Sequence, residues 1–540
     1  MAPDFPWWRH AVIYQVYIRS FADGNADGTG DIAGLISRLP YLATLGVDGI
    51  WINPWYESPL LDGGYDVADY RRVNPIYGDT RQATELFDRA DELGLKVLVD
   101  LVPNHTSSQH AWFKAALAAK SDSAERARYH FLPGRGQHGQ LPPNNWKSVF
   151  GGSAWSRVPD GEWYLHMFDV SQPDLNWDNP EVREEFVDII RFWLDLGAAG
   201  FRVDVAHALV KEAEYPDADD DDAVTVLSTP DSEGHPLWDR PELHEVVRQW
   251  RSVLDDYDDK VMVAEAWIPS WERLAKYVRP DEYHQTFDFQ FLRARWDASG
   301  MRSIIDDSLT ALGAVGSVPT WVLSNHDVVR HVTRYGLAPD VDERDWLLDG
   351  NEESLDLDLG MRRARAAILM MLALPGSVYL YQGEELGLPE VHDLPEGVID
   401  DPVWERSGHR DKGRDGCRVP IPWSRSGPSF GFGEDGSWLP QPDIWGQLSV
   451  ESQEGVLGST LDLYRRAIAA RRERMVGDEH LEWLDLGEDV VAFRRGSGLV
   501  CAVNYGTEPV SLPEGDVVLA SEDLKSGRLA ANAGVWLQPD

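Results

Sequence analysis

Gly200-Phe201-Arg202-Val203-Asp204-Val205 is a short β-branched and aromatic run that carries an arginine and a carboxylate two residues apart. Side chains alternate along a strand with period two, so Arg202 and Asp204 share one face. Charge inside such an apolar run is costly unless it is paired or functional. Comparable runs recur along the chain at 11–18, 49–53, 96–101, 200–205, 260–266, 285–289, 319–323 and 377–381, each followed by an amphipathic stretch. That alternation is the pattern of parallel βα units, and eight of them close a (β/α)8 TIM barrel of the α/β class.

Working outward, one intervening helix is well marked. Asn179 caps it, Pro180 sits in its first turn, Glu181, Glu184 and Glu185 suit its positive end, and Gly197 ends it. Phe186, Ile189, Ile190 and Leu194 then form a stripe for packing on the barrel. Residues 104–175, rich in Gly, Pro, Trp and His, far exceed an ordinary βα loop and predict an inserted domain between strand 3 and helix 3. The barrel then spans 1–103 and 176–475. After a helix around 461–472, short runs at 490–494, 499–503 and 517–520 predict a C-terminal antiparallel, sandwich-like β-domain over 476–540. Residues 212–233 form an acidic insertion that includes Asp219 and Asp222; it reads as a solvated charge run, with an access-lid role open.

The chain has 540 residues, with 50 Lys and Arg against 91 Asp and Glu, a formal charge of −41. Such a surface repels phosphate backbones and anionic membranes, which excludes nucleic acid and membrane as partners. No window approaches the run of about 18 apolar residues that spans a bilayer. Residues 1–10 carry no basic patch followed by an apolar stretch, so the expectation is a cytoplasmic protein, monomeric or homodimeric. Cys417 and Cys501 are too few for a disulfide framework or a Cys-based zinc site. The 23 Trp residues read mainly as core, with some available as sugar-stacking platforms.

In barrels of this kind catalytic groups sit at the C-terminal ends of the strands. The third run ends in Asp100-Leu101-Val102-Pro103-Asn104-His105, the fifth in Val263-Ala264-Glu265-Ala266-Trp267, and the seventh in Leu323-Ser324-Asn325-His326-Asp327. With Asp204 these put several carboxylates at one mouth. Glycoside hydrolysis needs such a set, because one carboxylate attacks the anomeric carbon while another protonates the departing oxygen and then activates water.

These four segments, in this order and at strand ends, resemble the conserved regions of glycoside hydrolase family 13, the α-amylase family. By that likeness Asp204 is the nucleophile, Glu265 the general acid/base, and Asp327 the carboxylate that binds sugar hydroxyls. Arg202 would keep Asp204 ionised, and Glu265 would hold its proton until attack. His105 and His326 look like hydroxyl-binding residues of the first subsite. Gly63-Gly64-Tyr65-Asp66 resembles the family segment in which the ring stacks under the terminal sugar and the carboxylate binds its outer hydroxyls. Arg414-Asp415-Gly416-Cys417-Arg418-Val419-Pro420 resembles a segment of oligosaccharide-cleaving members whose arginine closes the pocket. Arg418 takes that role, with Arg414 as second choice. Gln172-Pro173-Asp174-Leu175-Asn176-Trp177 matches the oligo-1,6-glucosidase branch, away from endo-acting amylases.

Family likeness also puts Ca2+ or Mg2+ in the loop Asp23-Gly24-Asn25-Ala26-Asp27-Gly28-Thr29-Gly30-Asp31, which places oxygen donors at alternate positions around glycines. The ligands would be Asp23, Asn25, Asp27, Asp31 and the backbone carbonyl of Thr29. The loop lacks the distal bidentate Glu of an EF-hand, and the plain alternative is an Asp/Gly turn without metal.

The resemblance thus implies a retaining exo-acting α-glucosidase acting on short oligosaccharides or glucosides through a covalent glucosyl-enzyme intermediate, with transglucosylation open. Val205, following Asp204, often accompanies α-1,6 cleavage, whereas Ala206-His207 departs from the isomaltase wording, so maltose-type substrates are favoured. The rivals are an oligo-1,6-glucosidase, and a sucrose isomerase, trehalose synthase or glucosyl transferase. From another class comes a non-catalytic barrel-type interaction subunit, against which the intact carboxylates count.

Overall fold

The computed structural model describes residues 5–219 and 234–539. Its centre is a parallel sheet of β1 (Val12–Val16), β2 (Gly49–Ile52), β3 (Lys96–Leu101), β4 (Gly200–Val203), β5 (Val261–Ala264), β6 (Gln285–Thr286), β7 (Thr320–Val322) and β8 (Ser377–Tyr381). They pair in the order β6-β5-β4-β3-β2-β1-β8-β7. A single parallel bridge between Phe287 and Thr320, with Asp288 N donating to Thr320 O at 3.0 Å, joins the two ends into a barrel. The strands are buried on both faces, as parallel barrel strands are, and all eight fall inside the runs expected from sequence.

Strand register decides which charged side chains meet at the barrel mouth. Asp100 on β3 pairs with Arg202 on β4, and Arg202 pairs with Val263 on β5, two residues before Glu265. Gly200 opens β4 at φ +154°, and a Cβ there would lie 1.9 Å from Val261 O, so only glycine lets β4 and β5 come together.

Around the barrel run α1 (Ile32–Leu45), α2 (Thr80–Glu92), α3 (Pro180–Leu196), α4 (Leu243–Leu254), α5 (Ala298–Gly313), α6 (Leu357–Ala373) and α7 (Thr460–Arg474), with shorter helices between. The expected caps of α3 are present: Asn179 Oδ1 accepts from Glu181 N at 2.9 Å, and Gly197 takes φ +115°. Its Phe186, Ile189, Ile190 and Leu194 are buried against the barrel.

Residues 104–175 include a three-stranded antiparallel sheet (Phe131–Pro133, Glu162–Leu165, Trp155–Arg157). The ends of this segment are held together by buried Lys211, whose Nζ lies 3.0 Å from Asp174 Oδ2 and 2.8 Å from Asn104 Oδ1. The start of the acidic insertion docks on the same segment. Trp146 Nε1 donates to Pro216 O at 2.8 Å and Asn145 N to Asp217 Oδ1 at 2.9 Å, so that part is packed and not freely solvated. Asp220 to Glu233 lie outside the described residues.

At the C-terminus β9 (Leu481–Leu484), β10 (Val490–Arg495), β11 (Val500–Asn504), β12 (Asp516–Ala520) and β13 (Ala533–Gln538) form an antiparallel sheet in the order β9-β10-β11-β13-β12. One face packs on α6, where Trp536 Nε1 donates to Leu369 O at 2.8 Å. The other covers a small core of Val490, Val500, Val535 and Leu537 with the ribbon that contains Leu529. Among the described residues no helix is long and apolar enough to cross a membrane.

Candidate active site

At the C-terminal mouth of the barrel the register of β3, β4 and β5 brings three carboxyls onto one guanidinium. Arg202 Nη1 lies 2.9 Å from Asp100 Oδ1 and 2.6 Å from Asp204 Oδ1, and its Nη2 lies 2.8 Å from Glu265 Oε2. All four side chains are nearly inaccessible. One positive charge cannot compensate three buried negative ones, so the cluster retains protons. Burial pushes Asp100 up to about 7 against the pull of Arg202. Burial likewise pushes Asp204 well above the carboxylate range, with Arg202 opposing and Glu265 and Asp100 adding to the rise. The expected contact between Arg202 and Asp204 is therefore present, but it does not by itself keep Asp204 ionised in the free pocket. The Asp204 and Glu265 carboxyls also hydrogen-bond each other.

Glu265 is positioned by two further donors. Trp267 Nε1 reaches Oε1 at 3.0 Å and Val205 N reaches Oε2 at 3.0 Å. Val205 achieves this in the left-handed region at φ +45°, where a β-branched residue costs on the order of 1–3 kcal/mol. The strain sits directly after Asp204 and aims an amide at the neighbouring carboxyl.

Asp327 lies opposite. Its Oδ1 is 3.0 Å from Arg418 Nη2 and 3.2 Å from Arg414 Nη1, and its Oδ2 is 3.2 Å from His326 Nε2. Burial alone would raise it, but His326 and the two guanidiniums outweigh that and hold Asp327 well below the usual carboxylate range. His326 is kept neutral, chiefly by burial. Gln15 Nε2 donates to its Nδ1 at 2.8 Å, which leaves the proton on Nε2 beside Tyr65 Oη at 2.7 Å. Tyr65 stacks on His326 with ring centroids 5.3 Å apart. His105 Nε2 is tied to Tyr65 O and Gln172 Nε2, each at 3.1 Å.

Of these groups Tyr65, His105, Asp204, Glu265, Asp327 and Arg414 line one pocket, with Arg202, His326 and Arg418 packed behind them. A sequence model of the α-amylase catalytic domain matches residues 15–478. The chain belongs to the α-amylase family. It is 35% identical to a probable α-glucosidase of Rhizobium meliloti (strain 1021), the alignment covering 94% of this chain and 91% of that protein. It is 32% identical to a trehalose-6-phosphate hydrolase of Bacillus subtilis (strain 168), over 98% and 94%. The crystal structure of an α-glucosyl transfer enzyme, XgtA, superposes with a TM-score of 0.85 at 35% identity, covering 99% of both chains.

Within this α-amylase-family pocket two substrate-binding expectations need correction. Asp66 does not line the cavity. It is fully buried behind the wall, its carboxylate accepting from Ser58 Oγ at 2.8 Å, Leu61 N at 3.1 Å and Asp62 N at 3.2 Å. The carboxylate of this turn that lines it is Asp62. Gly63 and Gly64, at φ +56° and +105°, turn the chain so that Asp62 and Tyr65 face the sugar side while Asp66 points back. Of the two arginines, likewise, the one that lines the cavity is Arg414. Its Nη2 lies 2.7 Å from Asp62 Oδ1 and its Nε 2.6 Å from Asp401 Oδ2. Arg418 is fully buried beneath, donating from Nε to His326 O at 2.9 Å and from Nη2 to Asp327.

No role was expected for Phe168, His207, Trp238 or Trp267, which also line the pocket, nor for Asp100 beneath it. His207 stacks on Trp238 at 5.2 Å, and Trp267 on Phe289 at 3.8 Å. The signal available for Trp267 was its place two residues beyond Glu265; Phe168 and Trp238 come from irregular segments and carried none. Phe150, in the inserted segment, also lines the pocket and lies under the Arg414 guanidinium at 5.5 Å.

The loop from Asp23 to Asp31 folds on its own side chains. Asp23 accepts from Ala26 N at 2.7 Å and Gly28 N at 2.8 Å, Asp27 from Thr29 N at 2.9 Å, and Asp31 caps α1 by accepting from Gly34 N at 2.6 Å. Burial, followed by Asp23 and Asp27, raises Asp31 against its two backbone donors. Like charges around one turn suit a hard cation. Among the described residues no three acidic, imidazole or thiol side chains are grouped so as to hold a metal ion by themselves, so Asn25 and the Thr29 carbonyl would have to complete a ligand set.

Proposed function

We propose that this chain is a retaining exo-acting α-glucosidase that releases glucose from the non-reducing end of short α-glucosides, maltose-type ones favoured. The observation that carries this reading is that one guanidinium, Arg202, holds Asp204 and Glu265 together. Carboxyls sharing one guanidinium suit the separation of about 5–5.5 Å used for covalent catalysis, not the roughly 6.5–9.5 Å that leaves room for an inverting water.

Asp204 is the nucleophile, and Glu265 gives the proton they share to the departing oxygen as the C–O bond breaks. The resulting glucosyl ester is cleaved when Glu265, now a carboxylate, takes a proton from water, whose oxygen attacks the anomeric carbon and frees Asp204. A sugar hydroxyl in place of that water gives transglucosylation by the same steps. Asp327, held ionised, accepts from sugar hydroxyls, with His105, His326 and Tyr65 around the same ring. Asp62 and Arg414 close the pocket beyond that ring, which favours removal of a single unit. Val205, His207 and Trp238, beside Glu265, face the leaving group. A non-catalytic subunit would have no use for a strained amide aimed at Glu265.

Incubation with maltose, isomaltose, sucrose and trehalose tests the reading. Free glucose should appear in step with loss of maltose, and the first-formed sugar should be the α-anomer. Initial release of β-glucose, or isomerisation of sucrose without glucose release, would overturn it. We further propose a structural Ca2+ or Mg2+ in the 23–31 loop, a monomer or homodimer, and a cytoplasmic setting, consistent with two buried free cysteines.

A further inference from the structure

Two phenyl rings of the inserted segment, Phe150 and Phe168, line the active-site pocket, and one arginine outside it holds the chain beside both. Arg406 ends the short helix Pro402–Arg406, in the segment that follows β8. Its Nε and Nη2 lie 2.8 and 2.7 Å from Oδ2 of Asp169, the residue directly after Phe168. Its Nη1 donates to Ser148 Oγ at 3.2 Å and to Gly151 O at 3.3 Å, on either side of Phe150. Ser148 passes the hold on in both directions, its Oγ accepting from Phe150 N at 3.1 Å and donating to Phe168 O at 2.7 Å. The Phe150 ring meets Phe168 edge-on at 5.8 Å and lies 5.9 Å from the Arg406 guanidinium.

The hold continues into the pocket wall. Asp169 N donates to Gln172 Oε1 at 2.9 Å, Gln172 Nε2 donates to Asp62 Oδ2 at 3.0 Å, and Asp62 Oδ1 faces Arg414 Nη2 at 2.7 Å. Arg414 Nε reaches Asp401 Oδ2 at 2.6 Å, and Asp401 Oδ1 accepts from Val403 N at 2.9 Å, capping the helix that ends at Arg406. The contacts therefore close on themselves, from Arg406 through the inserted segment to Asp62 and Arg414 and back. The turn that Arg406 holds is otherwise shaped from within. Val149 N donates to Met167 O at 2.8 Å and Ser148 N to Gly152 O at 3.0 Å, both inside the inserted segment. Gly151 and Gly152, at φ +92° and +80°, have open space where a Cβ would stand, so no packing supports the turn in those directions. Arg406 fastens it to the barrel side.

We propose that Arg406 is a positioning residue that sets substrate affinity, by fixing the Phe150 and Phe168 rings against the Asp62–Arg414 wall. It lines no part of the pocket and contacts none of Asp204, Glu265 and Asp327, so it acts through the rings alone. A planar fork that reaches a carboxylate, a hydroxyl and a carbonyl together is not reproduced by an ammonium, which is a point charge on a flexible stem. Releasing the fork lets the rings shift while the carboxyls stay on Arg202 and Arg418. The loss then falls on binding of substrate and transition state alike, and shows in KM and not in kcat.

The turnover arm of the test rests on the glucosidase reading; the binding arm does not. With p-nitrophenyl α-glucoside, Arg406→Gln should raise KM at least about tenfold and keep kcat within about threefold. Arg406→Lys, which keeps a charge beside Asp169 but not the fork, should fall between the parent and Arg406→Gln. Asp169→Asn should raise KM as well, and adding it to Arg406→Gln should change KM by less than about twofold more, because both release the same hold. Calorimetric binding of deoxynojirimycin, an iminosugar of glucose configuration, should weaken in the same order. A parent that binds the iminosugar but releases no p-nitrophenol refutes the glucosidase reading and leaves the binding series to decide this proposal; a parent that does neither refutes both. The proposal fails if Arg406→Gln keeps both KM and Kd within about twofold of the parent, if kcat falls as far as KM rises, if Arg406→Lys is no better than Arg406→Gln, or if the effects of Arg406→Gln and Asp169→Asn simply multiply. Should Arg406→Gln not fold, as judged by near-ultraviolet circular dichroism, Arg406→Lys and Asp169→Asn carry the test.

Discussion

Asp62→Asn and Asp66→Asn separate the pocket wall from what stands behind it. Asp62 Oδ1 faces Arg414 Nη2 at 2.7 Å, and its Oδ2 accepts from Gln172 Nε2 at 3.0 Å, so the carboxylate is fixed and charged where a sugar hydroxyl would reach it. Neutralising it removes a charged acceptor from substrate and one of the carboxylates facing Arg414. Hydrogen bonds to charged groups contribute about 1.5–3 kcal/mol, and about 1.4 kcal/mol is tenfold in rate, so kcat/KM on maltose and p-nitrophenyl α-glucoside should fall about 10- to 150-fold. Asp66 differs. Burial pushes its carboxyl up to about 7, so near neutral pH it is already partly protonated, and an amide oxygen in the place of Oδ1 can still accept from Ser58 Oγ and the Asp62 amide, losing only the bond from the Leu61 amide to Oδ2. Asp66→Asn should cost about 1 kcal/mol in stability and leave kcat/KM within a few-fold. Steady-state kinetics beside near-ultraviolet circular dichroism would decide. If Asp66→Asn falls as far as Asp62→Asn with its fold intact, or Asp62→Asn keeps parental kcat/KM, the assignment of the wall is wrong.

Glu265→Gln should lower maltose hydrolysis by about 10²–10⁴-fold, and Asp204→Asn should abolish glucose release; a clean preparation of Asp204→Asn that still turns over maltose would refute the nucleophile. Burial raises Asp288 and Glu390 to about 7 and Glu384 to about 8. Carboxyls raised in the folded state stabilise it fully below their unfolded values near 4 and lose that contribution as pH passes 7–8. Tm should therefore fall between pH 5 and pH 9, and less steeply in Glu384→Gln; a Tm that rises over this window contradicts the burial argument. Chelation should lower Tm by a few degrees, reversibly with Ca2+ or Mg2+, and leave kcat at 25 °C unaltered, whereas no response in Tm would remove the cation from the 23–31 loop.

The barrel was legible because strand and helix periodicities are local properties of a parallel βα repeat, and all eight runs, down to the two-residue β6, contain a strand. Arg202 and Asp204 were readable for the same reason, since period two puts them on one face. The pocket wall was not. Asp62 and Asp66 stand four residues apart in a glycine turn, where no periodicity says which side chain faces inward. Arg414 and Arg418 likewise stand at the N-cap and the last residue of one short 3-10 turn, Asp415–Arg418, and only the packing of distant segments selects between them. The charge state of Asp204 escaped for a further reason. It depends on Asp100 and Glu265 being gathered onto the same guanidinium, a consequence of strand register, which a contact inferred from one strand does not contain.

The wall pair joins residues 352 positions apart. During synthesis at about 5–20 residues per second, Asp62 leaves the ribosome roughly 20–70 s before Arg414. Over that interval the nascent chain already carries Asp204, then Glu265 and Asp327, but the side of the pocket formed by Asp62 and Arg414 does not yet exist. The wall is therefore completed after the reactive carboxyls are in place, and a chain truncated ahead of Arg414 would leave Asp62 without its guanidinium partner, whatever remained of its reactive groups.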